Sequence, residues 1–200
     1  MKYTIIEDCS PYYIRFTHDG LSDIINFCKE RIPTTGIVKG TFTHHKFSLD
    51  DGNKLLSMVP MQNTGKLNLQ NDRVSLFITA GNRYYRAHKD GLDHRVSINY
   101  TILIADDKCV TSWWDDEDLK KYTMDYVNGW SRECDGFNPK DHTPLKSMTA
   151  RPNECILFNT EIFHDFDNSQ SDNTRVVLTL RCKNPGVMYF DDVKQILFGI

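Results

Sequence analysis

Four side chains stand out for the chemistry they could do together. His88-Lys89-Asp90 sets an imidazole and a carboxylate two positions apart, so on an extended chain both fall on one face and can reach one metal ion. Alone the pair says little: with 21 Asp and seven His in 200 residues, about 0.7 such matches are expected by chance. Support comes from the C-terminal half. Ile162-Phe163-His164 lies in an apolar run, and Arg175 follows eleven positions after His164 at the head of Val176-Val177-Leu178-Thr179-Leu180. The polar stretch Asp167–Asn173 between them predicts an antiparallel hairpin, with His164 and Arg175 on neighbouring strands and Arg175, Val177 and Thr179 on one face.

Two imidazoles and one carboxylate on one face of an octahedral Fe(II) leave three positions open. A 2-oxo acid can fill two and dioxygen the third, while the planar guanidinium of Arg175 neutralises the acid's far carboxylate with two parallel hydrogen bonds. The same donors suit Zn²⁺-assisted hydrolysis, or a metal-binding β-scaffold that senses without catalysing. Each residue also has a plainer reading. Asp90-Gly91 is a turn signal, His164 between Phe163 and Phe166 fits a core histidine, and Arg175 fits a strand-edge cation. His44 and His45 are adjacent, so on a strand they point to opposite faces and are assigned structural roles. His18, His94 and His142 lie beside loop signals and receive none. Trp113 and Trp114 read as core, and the acids Asp115–Asp118 as a solvated helix start.

The elements that must position these residues change character along the chain. Residues 1–73 are mixed. Short strands are predicted at Tyr3–Ile6 and Tyr12–Phe16, a helix over Leu21–Ile32 capped by Ser22 or Asp23 and stopped by Pro33, and a second helix over Asp51–Met58. From residue 74 the period becomes two. Strands are predicted at Val74–Thr79, Tyr84–His88, Val96–Ile102, Glu154–Phe158, Ile162–Phe166 and Arg175–Cys182. In Val96–Ile102 the apolar Val96, Ile98, Tyr100 and Ile102 alternate with Ser97, Asn99 and Thr101, a polar row that suits either bulk water or a ligand-bearing interior. The stretch 107–153 is too long for a hairpin. It carries a helical candidate at Glu117–Val127 and reads as an insertion, of a kind often used as a lid or substrate loop. The inventory is α+β, mainly β: a barrel or sandwich.

With the order His-x-Asp, His, Arg in place, the chain over roughly residues 74–182 resembles the Fe(II)/2-oxoglutarate-dependent dioxygenase superfamily. Gly81-Asn82-Arg83-Tyr84-Tyr85-Arg86-Ala87-His88-Lys89-Asp90 looks like the segment that carries the first two metal ligands in prolyl-4-hydroxylase-like members. Arg151–Phe158 looks like their strand before the distal His. Three positions depart from that subgroup: Ile78 where a Tyr is frequent, Asn153 where a Gly follows the Pro, and Arg175 where many carry Lys. Proline is therefore not carried over as substrate.

The resemblance implies a double-stranded β-helix core of the jelly-roll or cupin type, supported by N-terminal helices, in a single domain over 1–200. In that reading 1–73 is accessory and 74–182 is the core with its insertion at 107–153. It further implies Fe(II) held by His88, Asp90 and His164, with 2-oxoglutarate and O2 as co-substrates and succinate and carbon dioxide as co-products. Arg175 anchors 2-oxoglutarate, Tyr85, Asn99 and Thr179 are secondary contacts, and Arg181 is the fallback anchor.

Composition bounds the partners. Hydrophobic residues at 40% and charged at 26% describe a globular chain, and a net charge of −3 disfavours a dedicated nucleic-acid binder. A small molecule, or an amino acid, peptide or protein side chain, is the expected substrate. No apolar stretch approaches membrane-spanning length, and Glu7 and Asp8 interrupt the N-terminus before a signal-like run develops. Six scattered cysteines without a CxxC pair fit reduced thiols, so the cytoplasm is the expected compartment.

Overall fold

The computed structural model describes residues 3–33, 41–60, 67, 69, 71, 74–91, 95–122, 131–182 and 188–200. Two antiparallel sheets face one another. The larger runs in the order β1 (Tyr3–Cys9), β2 (Tyr13–His18), β10 (Cys155–Asn159), β6 (Val96–Leu103), β12 (Arg175–Arg181), β4 (Ser75–Thr79) and β3 (Phe42–Lys46). The smaller runs β8 (Ser131–Glu133), β5 (Arg83–Asp90), β11 (Phe163–Asn168), β7 (Val110–Trp114) and β9 (Lys146–Thr149). From β4 to β7, and again from β9 to β12, successive strands fall in opposite sheets. This alternation makes a double-stranded β-helix.

Strand periodicity decides which face meets what. On β6, Val96, Ile98, Tyr100 and Ile102 enter the main core, which α1 (Leu21–Lys29), α2 (Leu49–Met58) and α4 (Phe190–Phe198) cover from outside. Ser97 and Asn99 turn the other way, into the space between the sheets. The polar row therefore lines an interior. Helix α1 presents Leu21, Ile24, Ile25 and Cys28 at helical spacing, but its N-cap is Gly20 at φ +84°, and neither Ser22 nor Asp23 caps it. Ser48 caps α2 by accepting from the Asp51 N–H at 3.1 Å. Helix α4 lies beyond the predicted core and buries Phe190, Val193 and Leu197.

Three expectations change. First, β11 and β12 do not form a hairpin. Both edges of β11 are taken by β5 and β7, and β12 pairs with β4 and β6 in the other sheet, so the 169–174 turn crosses between sheets. Second, 107–153 is not one insertion: it contributes β7 and β9 to the smaller sheet and β8 to that sheet's edge. The remainder packs Leu119, Tyr122, Cys134 and Phe137 over the outer face of that sheet, and none of its described residues lines the cavity. Third, the helix predicted from Glu117 is short. Within the described residues, α3 (Asp116–Leu119) runs into a 3-10 turn at Lys120–Tyr122, and 123–127 lies outside them.

The crossing is clamped to the β4–β5 turn. The Asn82 N–H donates to the carbonyls of Asn168 at 3.1 Å and Ser171 at 2.8 Å, and Asn168 Nδ2 donates to Ala80 and Asn173 carbonyls at 3.1 and 3.0 Å. A Cβ on Gly81 would sit 2.5 Å from the Asp172 carbonyl, so close backbone approach requires glycine there. One knot thus fixes both the run into His88 and the entry to Arg175.

Candidate active site

His88 and His164 stand directly opposite one another on β5 and β11, with ring centroids 4.4 Å apart. Asp90 lies two positions along β5, with Oδ1 3.9 Å from His88 Nε2. Ligating atoms from these three residues lie within 4.8 Å of each other. His88 Nδ1 is 2.9 Å from the Arg86 carbonyl and His164 Nδ1 is 2.9 Å from the Ile162 carbonyl. A carbonyl can only accept, so each Nδ1 carries the hydrogen and each Nε2 keeps a lone pair. Asp90 Oδ2 accepts from Arg181 Nη1 at 2.9 Å, leaving Oδ1 on the side of the imidazoles.

The electrostatics hold His164 and Asp90 in their ligating forms. Burial, aided by the neighbouring His88, pulls His164 down to about 3. Burial pushes Asp90 upward, but Arg181 and the two histidines outweigh it and hold the carboxyl below its usual range. A neutral imidazole and an ionised carboxylate are what a cation requires. Two nitrogens and one carboxylate oxygen suit Fe(II).

A cavity of about 480 Å³ opens from this triad between the sheets. Tyr85 enters it beside His88, ring centroids 4.9 Å apart, although an odd separation on a regular strand would oppose them. The register slips between the His88–His164 and Tyr85–Phe166 pairs, and this bulge turns both residues inward. Tyr84 faces away and donates to Asp165 Oδ2 at 3.0 Å. Asp165 also accepts from Trp114 Nε1 at 3.0 Å and the Ser112 N–H at 3.2 Å, and burial raises its carboxyl to about 7. Sequence reasoning missed this anchor behind His164; the available signal was an acid inside an apolar strand.

Arg175, Val177, Thr179 and Arg181 all line the cavity, as alternate residues of one strand must. Arg175 is only 5% exposed, its guanidinium carbon sits 4.6 Å from the Phe166 centroid, and its Nε has no hydrogen-bond partner among the described residues. Asn99 Oδ1 and Thr101 Oγ1 are likewise buried without partners, and Asn99 stands directly opposite Thr179. Buried polar atoms are rarely left so. Of these, Arg175 and Asn99 line the cavity and Thr101 does not; the two fit a bound polar ligand, with a carboxylate beside Arg175 satisfying its Nε.

Some residues sit elsewhere than expected. His44 lines the cavity, stacked on Phe77 with centroids 4.7 Å apart, instead of playing a purely structural part. The alternation Phe42, His44, Lys46 was its signal. Trp113 and Trp114 are both buried, as expected, and Asp115 caps α3 through the Glu117 N–H at 2.8 Å. His142 packs on Phe137 and His18 bonds Tyr100, both remote from the triad; His94 lies outside the described residues.

No protein-family model and no curated protein matches the sequence. Solved structures do. HygX from Streptomyces hygroscopicus, with nickel and 2-oxoglutarate bound, superposes with a TM-score of 0.55 at 8% identity, covering 84% of this chain and 81% of HygX. The epimerase SnoN, in complex with Fe3+, alpha ketoglutarate and nogalamycin RO, gives 0.54 at 10% identity, covering 86% and 78%. The fold is that of the 2-oxoglutarate oxygenases. Within it, β5 carries His88 and Asp90, β11 carries His164, and β12 carries Arg175 across the cavity. No helix among the described residues is long and apolar enough to cross a membrane.

Proposed function

We propose that the protein is an Fe(II)- and 2-oxoglutarate-dependent dioxygenase that hydroxylates an unactivated C–H bond. The carrying observation is one cavity that joins a His88–Asp90–His164 donor set to a buried Arg175 whose Nε has no partner. A metal scaffold would explain the first feature and leave the second without a purpose.

When bound, Fe(II) and 2-oxoglutarate supply the activation of dioxygen: oxidative decarboxylation yields succinate and carbon dioxide and delivers one oxygen atom to the substrate. The chain's own part is positioning. His88, Asp90 and His164 hold the metal, with the Arg86 and Ile162 carbonyls fixing the rings and Arg181 fixing the carboxylate. Arg175 binds the far carboxylate of 2-oxoglutarate. Thr179, Asn99 and Tyr85 line its course; an amide flip lets Asn99 present its NH2 to a carboxylate oxygen. Phe158 and Phe166 supply apolar walls that exclude water.

The substrate belongs with small molecules or with amino acid, peptide or protein side chains. HygX and SnoN are bound to hygromycin B and nogalamycin RO, respectively, which supports a small molecule. All six cysteines are free thiols, which supports the cytoplasm as the compartment. The test is an aerobic incubation with candidate substrates, read by succinate release and by mass gain of one oxygen. Both should require Fe(II) and 2-oxoglutarate; product formation without dioxygen would contradict the reading.

A further inference from the structure

The cavity's charge is opposite to the molecule's. The whole chain carries a net −3, yet the described cavity lining holds Lys46, Arg175 and Arg181 against a single carboxylate, Asp90. Filling the site as proposed does not remove the imbalance, because a divalent metal and a dianionic co-substrate cancel. Arg175 is spoken for by the co-substrate and Arg181 by Asp90. Lys46 has no carboxylate within ion-pair distance among the described residues, and it is exposed at the rim.

The rim is built by β3. Its alternation sends Phe42, His44 and Lys46 to the cavity side, opposite Thr79, Phe77 and Ser75 of β4. The Phe42 end is closed: its ring meets Tyr85 of the facing sheet at 4.8 Å, bridging the two sheets near Arg175. The other end is open, with His44 and Lys46 both exposed. There the His44 ring lies on Phe77 with an interplanar angle of 17°, offering a flat platform, and desolvation, then the charges of Lys46 and Arg181, depress its protonation. A neutral imidazole on an aromatic platform beside an ammonium that pairs with no carboxylate among the described residues suits a flat ligand with an acidic group.

We propose, building on the dioxygenase reading, that the substrate is a small anionic molecule whose carboxylate or phosphate is held by Lys46 at the open rim while its ring-sized body rests on His44 and Phe77. The acid group then lies at the rim and the carbon to be oxidised points toward the His88–Asp90–His164 triad.

The experiment uses the full chain loaded with Co(II), which supports no turnover, and saturated with 2-oxoglutarate. Calorimetry first records the 2-oxoglutarate isotherm. Phenylacetate, phenyl phosphate and neutral phenylacetamide are then titrated into this complex, and into its Lys46→Glu, Lys46→Gln and His44→Ala variants. At least one acid should bind about tenfold more tightly than the amide, the preference falling about tenfold in both Lys46 variants. Which acid binds better separates a carboxylate from a phosphate pocket. Equal binding of acid and amide, no binding of any probe, or an acid preference that survives Lys46→Glu overturns the proposal, with the 2-oxoglutarate isotherm intact. Absence of that isotherm itself overturns the dioxygenase reading and this inference with it.

Discussion

Two arginines share one strand and one face yet do different things. Arg175 and Arg181 both leave β12 toward the cavity. Arg181 donates to Asp90 Oδ2 at 2.9 Å, while Arg175 sits against Phe166 with Nε lacking a partner. The residue type is the same and the neighbours differ. A guanidinium already satisfied by a carboxylate serves that carboxylate, fixing its orientation and keeping it ionised. One buried without a partner carries an unmet desolvation cost, which a bound anion relieves. Partnership, more than residue type, assigns the roles.

The largest test of that contrast is Arg175→Met, which keeps the packing on Phe166 and removes the charge. Its 2-oxoglutarate affinity should fall by about 100-fold, or about 3 kcal/mol, while the metal still binds. If metal binding collapses instead, the two arginines have been assigned in reverse. Arg181→Gln should act the other way round. Asp90 loses its charged partner, so metal affinity should drop about tenfold to 100-fold in competition with a chelator, with loss of 2-oxoglutarate binding following the metal.

Gly81→Ala sharpens the comparison from a distance. The new Cβ pushes on Asp172, three residues before Arg175, and should cost about 1–3 kcal/mol in denaturant unfolding. It should weaken 2-oxoglutarate binding more than metal binding, because Arg181 lies at the far end of the strand.

The smallest effect belongs to the opposite face of the same sheet. His18 bonds Tyr100 at 3.2 Å, and burial lowers its pKa below the ordinary 6.5. Below that pH the unfolded chain takes up a proton that the native chain refuses, so this stability is present above 6.5 and lost as pH falls. The unfolding free energy of the metal-free protein should decline on acidification from about pH 7.5 to 5.5, and His18→Gln should remove up to about 1 kcal/mol of that decline.

Local alternation made much of this site legible. Ser97 and Asn99 were separable from Ile98 and Tyr100 by parity alone, and the His88–Asp90 pair by its spacing on an extended chain. What needed the third dimension was pairing. Nearness in sequence favours a hairpin between His164 and Arg175, but β11 has no free edge, and nothing local to 163–181 says so. Val110–Trp114 and Lys146–Thr149 are short strands inside a polar stretch, with neighbours far along the chain. The adjacency of His44 and His45 argues against a shared metal site but still requires that one of the two face inward, and that one is His44. Parity places both Arg175 and Arg181 on the cavity face; only the position of Asp90 distinguishes them.

The most direct measurement is an anaerobic titration of the Fe(II)-loaded protein with 2-oxoglutarate, followed by the visible charge-transfer absorption of a chelated 2-oxo acid. A saturable band with one equivalent bound is the predicted result, lost in His164→Ala and shifted to far higher concentrations in Arg175→Met. No band, or one indifferent to Arg175, would contradict the shared site.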